Sequence, residues 1–128
     1  MSGLLLDTQA LLWLLDDNPR MGPAARARIA AATIVRYSAA SLWEIEIKRA
    51  SGKLQIEGDL AAALAASGLS ELPMTAAHAL AIGAVDLPHR NPFDRLLLTQ
   101  AGVEELAFLT ADAVLLSLAR NDILDARS

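Results

Sequence analysis

Short, continuous apolar runs alternate with stretches of helical period along the whole of this chain. Leu4–Leu6 predicts a buried strand, and Thr8–Leu15 (TQALLWLL) a helix closed by Asn18-Pro19. Pro23–Ala32 predicts a second helix with proline in its first turn, where a missing N–H leaves no bond unmade. Thr33–Ser38 (TIVRYS), rich in β-branched and aromatic residues, predicts the next strand. From Ala39 to Ala50 runs an amphipathic helix stopped by Ser51-Gly52. Leu42, Trp43, Ile45 and Ile47 are expected on its apolar side, and Lys48 and Arg49 suit the negative end of its dipole.

Asp59–Ser67 reads as an alanine-rich helix capped by Asp59 and stopped by Gly68. Leu69–Leu72 predicts a third strand, and Thr75–Ala84 a helix with Thr75 as its N-cap. Asn91-Pro92 opens a helix running to about Gly102. Leu106–Thr110 predicts a strand, Ala113–Arg120 a helix and Ile123–Leu124 a short edge strand. This alternation predicts an α/β fold with right-handed crossovers and a parallel sheet covered on both faces. Functional groups in such folds gather beyond the carboxyl ends of the strands.

Length and composition narrow the classes. A chain of 128 residues predicts one domain spanning 1–128. The absence of cysteine excludes disulfide scaffolds, zinc–cysteine sites and thiol nucleophiles. MSGLLLD lacks the basic start of a signal peptide, and runs such as LAAALAA fall far short of a membrane span, so a cytoplasmic protein is expected. Eleven basic residues against fifteen acidic give a net charge of −4. Binding nucleic acid by phosphate neutralisation alone calls for a basic protein, so such chemistry here needs a bound cation or a local basic patch. A hydrophobic content of 54% hints at apolar surface buried against a partner or a second copy.

Four acids fall where chemistry is expected. Asp7 follows the first strand directly, and Asp112 stands in the same relation to Leu106–Thr110. Asp94 lies in the first turn of the helix opened by Asn91-Pro92, and Glu44 inside a helix that begins at a strand end. Each has an ordinary explanation: helix caps for Asp7 and Asp112, the helix dipole for Asp94, an i,i+4 pair with Lys48 for Glu44. Clustered carboxylates repel, however, and titrate upward unless a cation neutralises them. Hard divalent cations such as Mg²⁺ take their ligands from such groups, and a pair of them can activate water against a phosphodiester.

LLLDTQALLWLL, SAASLWEIEIKRASGKL, NPFDRLLLTQA and FLTAD, in this order and spacing, resemble the PIN-domain ribonucleases. The similarity is greatest to the VapC-type toxins of VapBC toxin–antitoxin pairs, and it covers nearly the whole chain. It implies a three-layer α/β/α fold and acids that bind Mg²⁺ or Mn²⁺ to cut RNA. The matching positions are Asp7, Glu44, Asp94 and Asp112. By the resemblance Asp7, Asp94 and Asp112 hold metal directly, while Glu44 binds through water or orients the attacking water. Thr8 and Thr110 are candidates to hydrogen-bond the acids, and Lys48, Arg49, Lys53 and Arg95 to contact the RNA backbone. Glu46 faces elsewhere on its helix and stays outside the set.

The resemblance further implies a cognate antitoxin seated in an apolar groove near the first helices, and a homodimer. Leu11, Leu12, Leu14 and Leu15 around Trp13 offer more apolar surface than one buried stripe needs, although Trp13 and Trp43 are both read first as core anchors. A non-catalytic PIN-like module binding RNA or protein is the alternative, and a metal-dependent phosphatase or DNA nuclease on the same acids a third. His78 and His89, eleven residues apart, match no zinc-ligand spacing, and one is expected on a helix surface, the other in the Pro88–Asn91 turn. A Ser41–His78–acid triad has no G-x-S-x-G elbow to support it, and a receiver-like domain lacks its paired acids and late lysine.

Overall fold

A computed structural model describes residues 3–84 and 91–128. In chain order the elements are β1 (Gly3–Leu6), α1 (Thr8–Leu15), α2 (Pro23–Ala31), β2 (Ile34–Ser38), α3 (Ala39–Ala50), α4 (Leu60–Ala66), β3 (Ser70–Leu72), α5 (Ala76–Ala81), a 3₁₀ turn (Ile82–Ala84), α6 (Pro92–Val103), β4 (Ala107–Thr110), α7 (Ala113–Leu116) and β5 (Ile123–Asp125). The five strands form one parallel sheet in the order β3-β2-β1-β4-β5. No helix among the described residues is long and apolar enough to cross a membrane.

The central strands are apolar because both faces are covered. Successive side chains of a strand point to opposite faces, so a strand buried on both is apolar throughout. Leu6, Tyr37 and Leu109 pack with Leu11, Trp13, Ala25, Ile45 and Leu64 from α1, α2, α3 and α4. Leu5, Leu72, Phe108 and Ile123 pack on the other face with Leu97, Leu98 and Ala101 of α6 and Leu115 of α7. Two cores therefore sandwich the sheet, making the expected three-layer α/β/α fold. Strand order reverses between β1 and β4, with Asp7 one residue beyond the first and Asp112 two beyond the second.

The expected edge strand forms, one residue longer than the sequence suggested, with Phe108 paired to Ile123. The helix expected over Ala113–Arg120 instead stops at Leu116. Ser117 caps it, and Ala119 adopts a left-handed φ of 53° that turns the chain back. A longer helix would carry Ile123 past its place beside β4, where Phe108 N–H already donates to Asp122 O at 2.7 Å. Thr75 caps α5 as expected, but α5 ends at Ala81 and tightens into the 3₁₀ turn.

Two aromatic or imidazole side chains stand where the sequence did not put them. Trp43, expected in the core, is 62% exposed and meets Phe93 edge-on at 5.5 Å. The inward stripe of α3 is Ser41 and Ile45, so Trp43 and Ile47, four apart on the helix, share the solvent side. His78, expected on a helix surface or in a turn, is fully buried. Its Nδ1 accepts the Thr75 N–H at 3.0 Å, which leaves the ring proton on Nε2 to donate to Glu104 at 2.9 Å. His89 and the Pro88–Asn91 turn lie outside the described residues, apart from Asn91 itself.

Leu5 is fully buried at the centre of the sheet and has no polar partner to lose. Leu5→Ala should therefore lower stability by about 3 kcal/mol, read from the urea midpoint at unchanged slope. A loss below about 1 kcal/mol would show that the two-sided packing relaxes to fill the space.

Candidate functional site

Asp7 is the first residue beyond β1. Its N–H donates to Leu109 O of the neighbouring strand at 3.0 Å, so the sheet's own ladder fixes its backbone. Its carboxylate is almost fully buried and is held at both oxygens: Oδ1 accepts the Ala10 N–H at 2.7 Å, capping α1, and Oδ2 accepts the Thr110 hydroxyl at 2.5 Å. The same Thr110 Oγ1 accepts the Asp112 N–H at 3.0 Å. One hydroxyl thus ties the ends of β1 and β4 to the start of α7. Burial pushes the Asp7 carboxyl up from 3.8 to about 6, against the downward pull of Thr110 and Ala10, and the charges of Asp94 and Asp112 push the same way as burial.

Glu44 reaches the site from α3. It too is buried, with Oε1 2.6 Å from Thr8 Oγ1 and Oε2 2.7 Å from Lys48 Nζ. Thr8 donates its single hydroxyl proton to the carboxylate, so the 3.0 Å contact between Thr8 Oγ1 and Ser41 Oγ is donated by the serine. Lys48 comes one helical turn later, so the anticipated i,i+4 pair forms and also sets the glutamate's orientation.

Asp94 stands in the first turn of α6, which Asn91 caps through its side chain to Phe93 N at 2.9 Å. Asp112 caps α7, its Oδ1 accepting from Val114 and Leu115 N–H at 2.8 and 3.1 Å. The ordinary readings of these acids as caps are therefore correct. They are also incomplete, because all four acids line a single open cavity of about 570 Å³ at the carboxyl ends of β1 and β4. The α1 and α6 N-termini lie at the same place, and their partial positive charge offsets some of the repulsion.

Among the described residues no three His, Asp or Glu side chains are drawn together tightly enough to form a ready-made metal cluster. Asp7, Glu44 and Asp112 each accept hydrogen bonds from protein donors. In kind, the donor set fits a hard divalent cation: four carboxylates and no soft ligand.

The cations expected near the acids divide. Lys48 and Lys53 line the cavity, while Arg49 pairs with exposed Glu46 at 3.1 Å, and neither Arg49 nor Arg95 is on its wall. Sequence reading missed Arg20 and Arg127, which also line it. Arg127 is brought in from the far end of the chain, where nothing local to it signals a site. Leu11 is fully buried, whereas Leu14 and Leu15 line a second hollow of about 650 Å³, of mixed polar and apolar lining, with Ile29, Ile34, Thr33 and Ser70.

Several solved structures share this fold. VapBC2 from Rickettsia felis, bound to a DNA fragment from its promoter, superposes with a TM-score of 0.66 at 14% identity, covering 96% of each chain. A toxin–antitoxin complex from Klebsiella pneumoniae gives 0.65 at 15%, covering 94% of this chain and 95% of that one. DNA-bound VapBC from Salmonella typhimurium gives 0.61 at 21%, covering 98% and 97%. Comparison with curated proteins finds no match. The PIN domain family model matches residues 4–121, which takes in all four acids, and the chain belongs to the PIN domain family.

Proposed function

We propose that the protein is a divalent-metal-dependent endoribonuclease, the toxin of a toxin–antitoxin pair. The observation that carries the reading is the convergence of Asp7, Glu44, Asp94 and Asp112, from four separate segments, on one cavity. Natural selection for stability alone would not gather like charges around a buried carboxyl already pushed up to about 6. The PIN domain match and the shared fold with toxin–antitoxin complexes support the same reading.

Asp7, Asp94 and Asp112 would hold the cation, Mg²⁺ or Mn²⁺, and Asp7 is the one whose position is fixed in advance by Thr110 and Ala10. A bound divalent cation supplies the positive field and Lewis acidity that a net charge of −4 denies the substrate phosphate. Glu44, pinned by Thr8 and Lys48, orients the water that attacks phosphorus. The bond to the 3′-oxygen breaks in line, leaving a 5′-phosphate and a 3′-hydroxyl. The hollow beside Leu14, Leu15 and Ile34 is where an antitoxin segment would dock, on the same first helix that Asp7 caps.

The alternative reading is a non-catalytic PIN-like module that binds RNA or protein. Cleavage of a structured-RNA panel separates the two. The wild type should cut with Mg²⁺ or Mn²⁺ and not with EDTA, and Asp94→Asn should lower the rate roughly a hundredfold or more. Equal cutting by wild type and mutant would mark the activity as a contaminant, and no cutting together with no metal binding would leave the module.

Stability gives an independent check. Because folding raises the Asp7 pKa from 3.8 to about 6, the folded state holds that proton more tightly than the unfolded one. The resulting stabilisation is complete below about pH 4 and is lost as pH rises through about 6, so at pH 7.5 the charged carboxylate costs about 3 kcal/mol. In metal-free buffer Asp7→Asn should raise Tm at about pH 7.5 and change it little near pH 4. Mg²⁺ should then stabilise the wild type and not the mutant. An Asp7→Asn protein that melts lower than wild type at pH 7.5 would contradict this.

A further inference from the structure

The acid cavity carries as many cations as acids. Arg20, Lys48, Lys53 and Arg127 line the same wall as the four carboxylates. Elsewhere, Arg26, Arg49 and Arg120 are taken up by pairs with Asp17, Glu46 and Asp122. Among the four, Arg127 is the one whose placement has been built by the rest of the chain.

Its segment is docked at several points. Ala126 N–H donates to Thr110 O at 2.8 Å, and Ala126 O accepts from Gly22 N–H at 2.9 Å. Ser128 O accepts from Ala24 and Ala25 N–H at 2.9 and 3.1 Å, occupying the free donors in the first turn of α2. Gly22 has to be glycine for this, since a Cβ there would lie 2.1 Å from Ser128 O and 2.2 Å from Ser128 C. The dock aims Arg127 at the site. Its Nη1 donates to Ala111 O at 2.6 Å, between Thr110 and Asp112, and its guanidinium carbon stands 5.3 Å from the centroid of the buried Trp13 ring.

A guanidinium within cation–π range of an aromatic ring, with one of its five N–H groups anchored, keeps the others oriented in a fixed fork. That arrangement suits a phosphodiester oxygen pair better than a mobile lysine does. We propose that Arg127 contacts a backbone phosphate of single-stranded RNA at this site, held there by the docked 126–128 segment, with Arg20, Lys48 and Lys53 continuing the contact along the rim. The inference rests on the ribonuclease reading above.

The test is binding of a fluorescent single-stranded RNA to full-length Asp94→Asn protein in magnesium buffer, followed by anisotropy over a range of salt. Adding Arg127→Gln should weaken binding about tenfold and reduce the slope of log K against log salt by about 0.7, the amount for one phosphate on a single strand. Arg127→Lys should keep the slope and lose part of the affinity. Gly22→Ala, which evicts the segment, should weaken binding when Arg127 is present and add nothing when it is already glutamine. Thermal melts run alongside identify any variant that fails to fold, and Arg127→Lys then carries the comparison. An unchanged slope in Arg127→Gln, or equal and additive losses from Gly22→Ala in both backgrounds, overturns the role of Arg127 while leaving the ribonuclease reading intact. RNA that binds neither the Asp94→Asn protein nor the wild type in magnesium buffer overturns that reading, and this inference with it.

Discussion

The hydrogen bond from Thr110 to the buried Asp7 carboxylate is the constraint around which the rest is arranged. Asp7 can be placed there because β1 and β4 are adjacent and parallel, so that their carboxyl ends emerge side by side. Thr110 then works in three directions: its hydroxyl donates to Asp7, accepts from the Asp112 backbone, and its carbonyl accepts from Ala126. The end of one strand thereby organises two acids and the segment that carries Arg127. Removing an apolar residue from either core would cost stability, whereas disturbing Thr110 would disturb the site's geometry first.

That arrangement is held against electrostatic opposition. A carboxyl displaced to about 6 by burial, with Asp94 and Asp112 adding to the displacement, is a group the fold tolerates at neutral pH and does not prefer. Glu44 escapes the same isolation because Lys48 sits on it. The two acids thus meet burial in different ways: one has a lysine beside it, and the other hydrogen-bond donors alone. Sites of this kind sacrifice stability for chemistry, and the two apolar cores on either side of the sheet supply the margin.

Much of this was legible in the sequence because its signals are local. The bounds of α1 and α3 follow from helical period and from the residues that stop them, and both were read to the residue. Strand-end acids are visible once a parallel sheet is recognised, since topology alone puts Asp7 and Asp112 on one rim. What escaped depended on contacts between distant segments. The truncation of α7 is imposed by pairing β5 to β4, the exposure of Trp43 by which side of α3 meets the sheet, and the burial of His78 by its partners in α6. Arg127 could not be found from its neighbours at all, because a glycine 105 positions earlier makes the room that its segment occupies.

The central claim is that the four-acid cavity is a divalent-metal site whose fixed point is Asp7. Anomalous diffraction at the manganese edge, from crystals saturated with Mn²⁺, addresses it without any substrate. The account predicts a peak within about 2.0–2.3 Å of an Asp7 carboxylate oxygen, shared with Asp94 or Asp112, distances proper to a small hard cation on oxygen. Crystals that hold manganese only elsewhere, or none at this cavity, would contradict it.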